Sequence, residues 1–174
     1  MDNNYESSEY VEYVKKQPVW AFCLLAFMTF GLYNLYWFYR NWRFLKELYR
    51  WGIYPFWRAV FTIFFVHTLF EHINDLAVEK GHRGIASNLY ATGFIIASIL
   101  QRMIDQLLPA PAAFLAVLIP SFLFLVPTVK QLNFLYNLAY PNEYKPAFSP
   151  GELIALLMGG ILMASVVLSL LTGN

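Results

Sequence analysis

Long uncharged runs separated by short polar, proline-marked connections dominate the chain. Residues 18–39, 84–101, 112–129 and 153–172 carry no Asp, Glu, Lys or Arg. Each is long enough to cross a bilayer as a helix, the form that satisfies every backbone hydrogen bond within one segment. The pattern therefore predicts an all-α, polytopic membrane bundle of four to five hydrophobic helices. Residues 56–73 are ambiguous. Between Arg58 and Glu71 they offer only the run AVFTIFFVHTLF, with His67 inside it, a length that suits a re-entrant or interfacial segment better than a span. In the first run, Trp20 and Trp37 would lie about 26 Å apart on a continuous helix. That spacing predicts one membrane face at Trp20 and the other at Trp37.

The stretch after the first run changes character. In Arg40–Arg50, RNWRFLKELYR, Trp42, Leu45, Leu48 and Tyr49 recur at helical spacing between Arg43, Lys46, Glu47 and Arg50. An amphipathic helix at the interface, with its cations near lipid phosphates, is expected, ending at Gly52 and Pro55. Asn74–Gly84 reads as a polar loop. The run 84–101 is rich in Gly, Ala and Ser, which allow close helix approach. Pro120 is expected to kink the run 112–129, and Pro127 to lie near its end. In the last run the pairs Ala155/Gly159 and Gly160/Ala164 form a small-residue helix-packing face.

Composition sharpens this picture. The 174 residues are 59% hydrophobic and only 13% charged, against about a quarter charged in a soluble domain. A net charge of +1 argues against nucleic acid as a partner. The single cysteine, Cys23, leaves no disulfide framework and no cysteine metal cluster. Residues 1–17 form a polar, acidic tail without the basic start of a signal peptide, so the first helix is read as an uncleaved anchor of one membrane domain over 18–174. If 56–73 dips in and returns, the cations Arg40, Arg43, Lys46, Arg50, Arg58, Lys80, Arg83, Lys130 and Lys145 share one side. Lys15, Lys16 and Arg102 share the other. That bias favours four spans with both ends outside the cytoplasm; with five spans the cations divide evenly. A shift of ninety positions also aligns Arg40-Asn41 with Lys130-Gln131 and FLKEL (44–48) with FLYNL (134–138), a faint echo of the repeats found in transporters.

The run TFGLYNLYWFYRNW (29–42), together with YPFWRAVF (54–61), resembles a family of small, uncharacterised bacterial inner-membrane proteins classed as a domain of unknown function. The shared signature is Thr-x-Gly-x-Tyr-x-x-Tyr-Trp-x-Tyr, here Thr29, Gly31, Tyr33, Tyr36, Trp37 and Tyr39. The nearest members add Pro-Phe-Trp-Arg, here Pro55, Phe56, Trp57 and Arg58. The resemblance covers about a quarter of the chain. It implies a bacterial inner-membrane location, and no activity, cofactor or catalytic residue.

Three constellations could carry chemistry. His67, Glu71 and Asp75 are spaced at four, so on a helix they share one face that could hold a divalent metal or relay protons, with His72, Glu79 and His82 nearby. The alternative is a helix emerging into a solvated loop, its acids paired by Lys80 and Arg83, and His67 bonded to a neighbouring helix. Tyr36, Trp37, Tyr39, Arg40, Trp42, Arg43, Trp57 and Arg58, with Tyr33, could grip a lipid head group through forks and ring stacking, or simply anchor helices at the interface. Arg102 and Asp105, three apart, could pair. Thr29, Gly31 and Asn34 are expected to pack helices. No catalytic residue or cofactor is assigned. The expected function is a non-enzymatic accessory or interaction subunit of a larger membrane system, meeting membrane lipids and either a protein partner or further copies of itself. The alternatives are a small transporter or channel subunit, or a lipid- or metal-dependent membrane enzyme using the His67/Glu71/Asp75 face.

Overall fold

The computed structural model describes residues 16–107, 120–141 and 146–172, and within them every side chain but those of Asp105, Leu170 and Leu171. These residues form α-helices, one short 3-10 helix and connections, with no strand among them. In chain order the helices are α1 (Val19–Met28), α2 (Leu32–Tyr49), α3 (Pro55–Val60), α4 (Thr62–Glu79), α5 (Ser87–Leu107), the 3-10 helix (Ser121–Leu125), α6 (Val126–Ala139) and α7 (Pro150–Thr172).

The first apolar run is not one helix. Phe30 and Gly31 both take positive φ, 51° and 83°, and the chain turns between α1 and α2. On a straight helix Phe22 and Trp37 would be about 22 Å apart; here their ring centroids are 5.8 Å apart. The expected helix over 18–39 is thereby corrected, and with it the pair of Trp20 and Trp37 as a ruler of membrane thickness. Uncharged length had promised a span; the left-handed Gly31 breaks it.

Other boundaries shift for comparable reasons. The ambiguous 56–73 divides at Phe61 into α3, started by Pro55 at its first position, and α4. Helix α4 then runs on to Glu79, so Asn74–Glu79 is helical rather than loop. Ile73 and Ala77, four apart, are buried and continue the apolar stripe of Val66, Leu69 and Phe70. Of the expected helix over 112–129, residues 112–119 lie outside the described residues. The rest is not a kinked span. Pro120 is extended ahead of the 3-10 helix, and Pro127 sits at the start of α6, where a proline's missing N–H costs nothing. Among the described residues one helix, α7, is long and apolar enough to cross a membrane, over Pro150–Ser169 with mean hydropathy 2.1.

One aromatic-rich cluster joins α1, α2, α4, α5, the 3-10 helix and α6, centred on Phe22, Trp37, Phe38, Trp42, Phe70 and Tyr136. The small residues of α5 pack as expected. Ala91 and Ala97 are buried, and a Cβ on Gly93 would run into the Phe124 ring. Helix α7 stands apart, with only 11% of its span buried.

Candidate functional site

The signature residues build an elbow. At the end of α1 the Thr29 hydroxyl donates to the Leu25 carbonyl (2.7 Å) and accepts from the Tyr33 backbone N–H (3.0 Å). One side chain thus satisfies the last turn of α1 and the first turn of α2 across the break. Gly31 takes the left-handed conformation between them, and Trp37 packs on Phe22 behind it.

Beside the elbow lies a buried polar node. The Tyr33 hydroxyl donates to Glu152 Oε1 at 2.7 Å, and Gln17 Nε2 donates to Tyr33 Oη at 2.8 Å and to Glu152 Oε1 at 3.4 Å. The Ser149 N–H donates to Glu152 Oε2 at 2.7 Å. Asn133 on α6 brackets the Gln17 backbone, accepting from its N–H at 2.8 Å and donating to its carbonyl at 2.7 Å. Glu152 is 4% exposed. The node ties the N-terminus of α7 to α2 and α6, and it was missed in the sequence. A signal for half of it existed: Ser149-Pro150-Gly151-Glu152 has the spacing of a capping box with proline at the first helical position.

The aromatic and basic residues divide between inside and outside. Trp37 and Trp42, read from sequence as membrane-interface anchors, are instead core residues, because the elbow and α4 close over them. Arg58 stacks on Trp42 at 4.5 Å and on Phe65 at 5.1 Å, a cation–π contact within the protein. Trp57 is exposed and stacks with Phe61. Along the outer face of α2 the order is Leu32, Leu35, Tyr36, Arg43 and Arg50, all exposed, with Tyr39 and Arg40 half-buried between. Arg40 lies 5.9 Å over the Tyr36 ring. This face therefore runs from an apolar start through tyrosines to a basic end.

The His67/Glu71/Asp75 face does not converge. Among the described residues no group of three His, Cys, Asp or Glu is arranged to hold a metal ion. His67 Nε2 is 3.1 Å from the Thr92 hydroxyl on α5, linking two helices. His72 Nδ1 donates to the Thr68 carbonyl at 2.7 Å, and its ring meets Trp51 edge-on at 4.9 Å. Tyr49 stacks on Trp51; partial burial, reinforced by the Glu79 and Asp75 carboxylates, pushes its phenol above the usual value. His82 packs on Phe134, and Lys80 pairs with Glu79 at 3.7 Å on the surface. The Arg102–Asp105 pair falls outside the described side chains.

On the last helix the four small residues do different things. Ala155 is half-buried against the core. A Cβ on Gly159 would collide with the Met28 carbonyl, so the backbones of α1 and α7 touch there. A Cβ on Gly160 would meet nothing, and with Ala164, Met28, Met163, Val167 and Leu168 this glycine lines an open apolar groove.

A second cavity, of about 490 Å³, gathers the chain's breaks. Its walls include Phe30 and Gly31 from the α1–α2 elbow, Val60 and Thr62 from the α3–α4 break, and Pro120 and Ser121 from the start of the 3-10 helix. Asn34, Ser98, Gln101 and Arg102 add polar groups to a lining otherwise rich in Phe, Leu and Ile. No protein-family model, no curated protein and no solved structure matches this chain.

Proposed function

We propose that this chain is a multi-pass membrane protein that works by recognition inside the bilayer, as a non-enzymatic accessory or interaction subunit of a larger membrane system. Embedding is supported by its outer surface. Trp20 and Phe27 of α1, Phe56, Trp57 and Val60 of α3, Leu89, Ile96 and Met103 of α5, and Leu157, Ile161 and Leu162 of α7 are all exposed. A soluble monomer does not leave so much large apolar surface in water. Hydrocarbon would cover it, with broken helix pairs such as α1–α2 entering together. The resemblance of the elbow signature supports a bacterial inner membrane as the location.

The observation that carries the accessory reading is the seat of α7. It is held through Glu152 and Gly159 in its first half, while the second half leaves the Gly160/Ala164 groove unfilled. Small residues on a spanning helix let another helix come close. Native mass spectrometry of the protein drawn gently from its own membrane tests this. A stoichiometric protein partner or a defined homo-oligomer that Gly160→Leu disperses supports the reading. A monomer carrying only lipid, unchanged by Gly160→Leu, overturns it.

A second reading, a small transporter or channel subunit, is favoured by one observation: three chain breaks meet at a single cavity, the arrangement in which transporters place their binding sites. Solute flux in proteoliposomes, abolished by filling that cavity, supports it; a tight, inert bilayer counts against it.

A further inference from the structure

Helix lengths and contacts bring the turns of the chain to one depth. Helix α1 is ten residues long, about 15 Å at the helical rise, and α2 returns beside it with Trp37 on Phe22. Helix α3 runs back along α2: Arg58 lies on Trp42, and Val60 shares the cavity wall with Leu35. After Phe61 the direction reverses again. Phe65 of α4 faces Trp42 at 6.3 Å between ring centroids, and His72 faces Tyr49 at 6.1 Å. The 3-10 helix starts in the same cavity wall, and α6 leads away from it to Asn74 of α4, which Gln131 reaches at 2.8 Å. The breaks at Gly31, Phe61 and Pro120 thus form one end of the helix cluster.

That end is apolar. The first charged residue after Gly31 is Arg40, after Phe61 it is Glu71, and after Pro120 it is Lys130. Each comes nine or ten residues on, about 13–17 Å along the helices. Arg58 lies only three residues before Phe61, but its guanidinium reaches back onto Trp42, eleven residues along α2 from Gly31. Arg102, the one described charged side chain in the cavity wall, comes four residues after Ser98 on α5, which continues to Leu107. Exposed Phe30, Leu32, Phe61 and Phe64 cover the turns. Every backbone N–H from Thr29 to Asn34 donates within the elbow, to Leu25, Ala26, Phe27, Thr29 or Gly31. Hydrocarbon, which offers no partner, requires this of a broken helix.

Helix α7 is an independent ruler. Its apolar span Pro150–Ser169 is twenty residues, about 30 Å, the thickness of a bilayer's hydrocarbon core. Gly159, which lies against the Met28 carbonyl, is nine residues from one end of that span and ten from the other. The middle of the span therefore meets the elbow, while its start is tied through Glu152 to Gln17, just ahead of α1.

We propose, resting on the embedded reading above, that α1–α2 and α3–α4 are re-entrant hairpins filling one leaflet. Each enters and leaves by the same membrane face and turns at the midplane. Phe30, Leu32, Phe61 and Phe64 there rest on the acyl-chain ends of the opposite leaflet. Lys16, Arg50 and Lys80 share the face of entry, and α7 crosses to put Thr172 at the other.

Single cysteines in a Cys23→Ser background, labelled by an impermeant maleimide in right-side-out and inside-out vesicles, test this. Lys16→Cys, Arg50→Cys and Lys80→Cys are expected to react from one face alone, and Thr172→Cys from the opposite face alone. Phe30→Cys and Phe61→Cys are expected to react from neither. A bimane on Phe61→Cys, in liposomes of brominated phospholipid, is expected to be quenched more by bromines near the chain ends than by bromines near the head group. Labelling of Phe30→Cys or Phe61→Cys from the face of Thr172 would overturn the proposal. So would Lys16→Cys and Arg50→Cys on opposite faces, as four spans require, or quenching without preference for the chain ends. Labelling of all six positions from a single face would instead remove the embedded reading itself. None of these outcomes bears on whether a protein partner meets α7, which native mass spectrometry reads separately.

Discussion

Gly159 of α7 lies against the Met28 carbonyl at the end of α1, while a Cβ on its neighbour Gly160 would enter open space. Two adjacent glycines therefore carry opposite expectations. Gly159→Leu forces α1 and α7 apart and is expected to destabilise the protein by about 1–3 kcal/mol, as overpacking does. Gly160→Leu is expected to leave the unfolding midpoint of the isolated protein within the error of measurement while weakening its association. Thermal unfolding in detergent, run beside native mass spectrometry, separates the two.

The elbow makes a second prediction. Gly31→Ala places a side chain at φ 83°, where an L-residue costs about 1–2 kcal/mol. Thr29→Val removes the hydroxyl that bridges Leu25 and Tyr33 but keeps its shape, and is expected to cost about 1–2 kcal/mol. Both should lower the thermal midpoint, and Thr29→Ser, which keeps the hydroxyl, should restore most of the loss. If Thr29→Val and Thr29→Ser unfold alike, the bridge contributes nothing.

Tyr33→Phe takes a hydrogen-bond donor from a carboxyl that is 4% exposed. The expected loss is about 1–3 kcal/mol. Hydrogen exchange should locate the change at the start of α7, because Glu152 also caps that helix through the Ser149 N–H. Uniform faster exchange over all helices would instead mean that the node is no special tether.

Tyr49 supplies a pH dependence. Its phenol is pushed above its ordinary value of about 10 by burial first and by Glu79 and Asp75 second. The folded state thus favours the neutral form. That stabilisation is complete below the unfolded value and is lost as pH rises through the folded one. Tyr49→Phe should flatten the alkaline fall in stability without altering stability at neutral pH. An unchanged alkaline limb would remove Tyr49 as its source.

Chelators are expected to leave the thermal midpoint unchanged, since His67, Glu71 and Asp75 do not gather around a common point. His67→Ala should still cost about 1 kcal/mol through the lost contact with Thr92. A stoichiometric metal by elemental analysis would contradict this expectation.

Helix content was legible in the sequence because apolar runs and proline or glycine stops are local signals. Pro55 starts α3, and Gly93 marks a close approach. What the sequence hid was three-dimensional. Nothing local distinguishes Gly31 in an unbroken span from Gly31 in an elbow; only the contact of Phe22 with Trp37 decides it. Trp37 and Trp42 misled for the same reason, since indole suits both a bilayer interface and a core. The polar node joins Gln17, Tyr33, Asn133 and Glu152 across more than a hundred positions, so only the Ser149–Glu152 cap could have been read from spacing. The cavity follows from breaks that are far apart in the chain and close in space.

In a protein embedded as proposed, the large apolar side chains on the outside face hydrocarbon. Single cysteines in place of Phe64, Leu89 and Leu157, in a Cys23→Ser background, test it through a membrane-impermeant maleimide. All three positions are highly exposed in the protein itself. In native membranes, intact or opened, none is expected to be labelled, while all three react once the protein is unfolded in denaturant. Rapid labelling of all three in intact or opened membranes would contradict it.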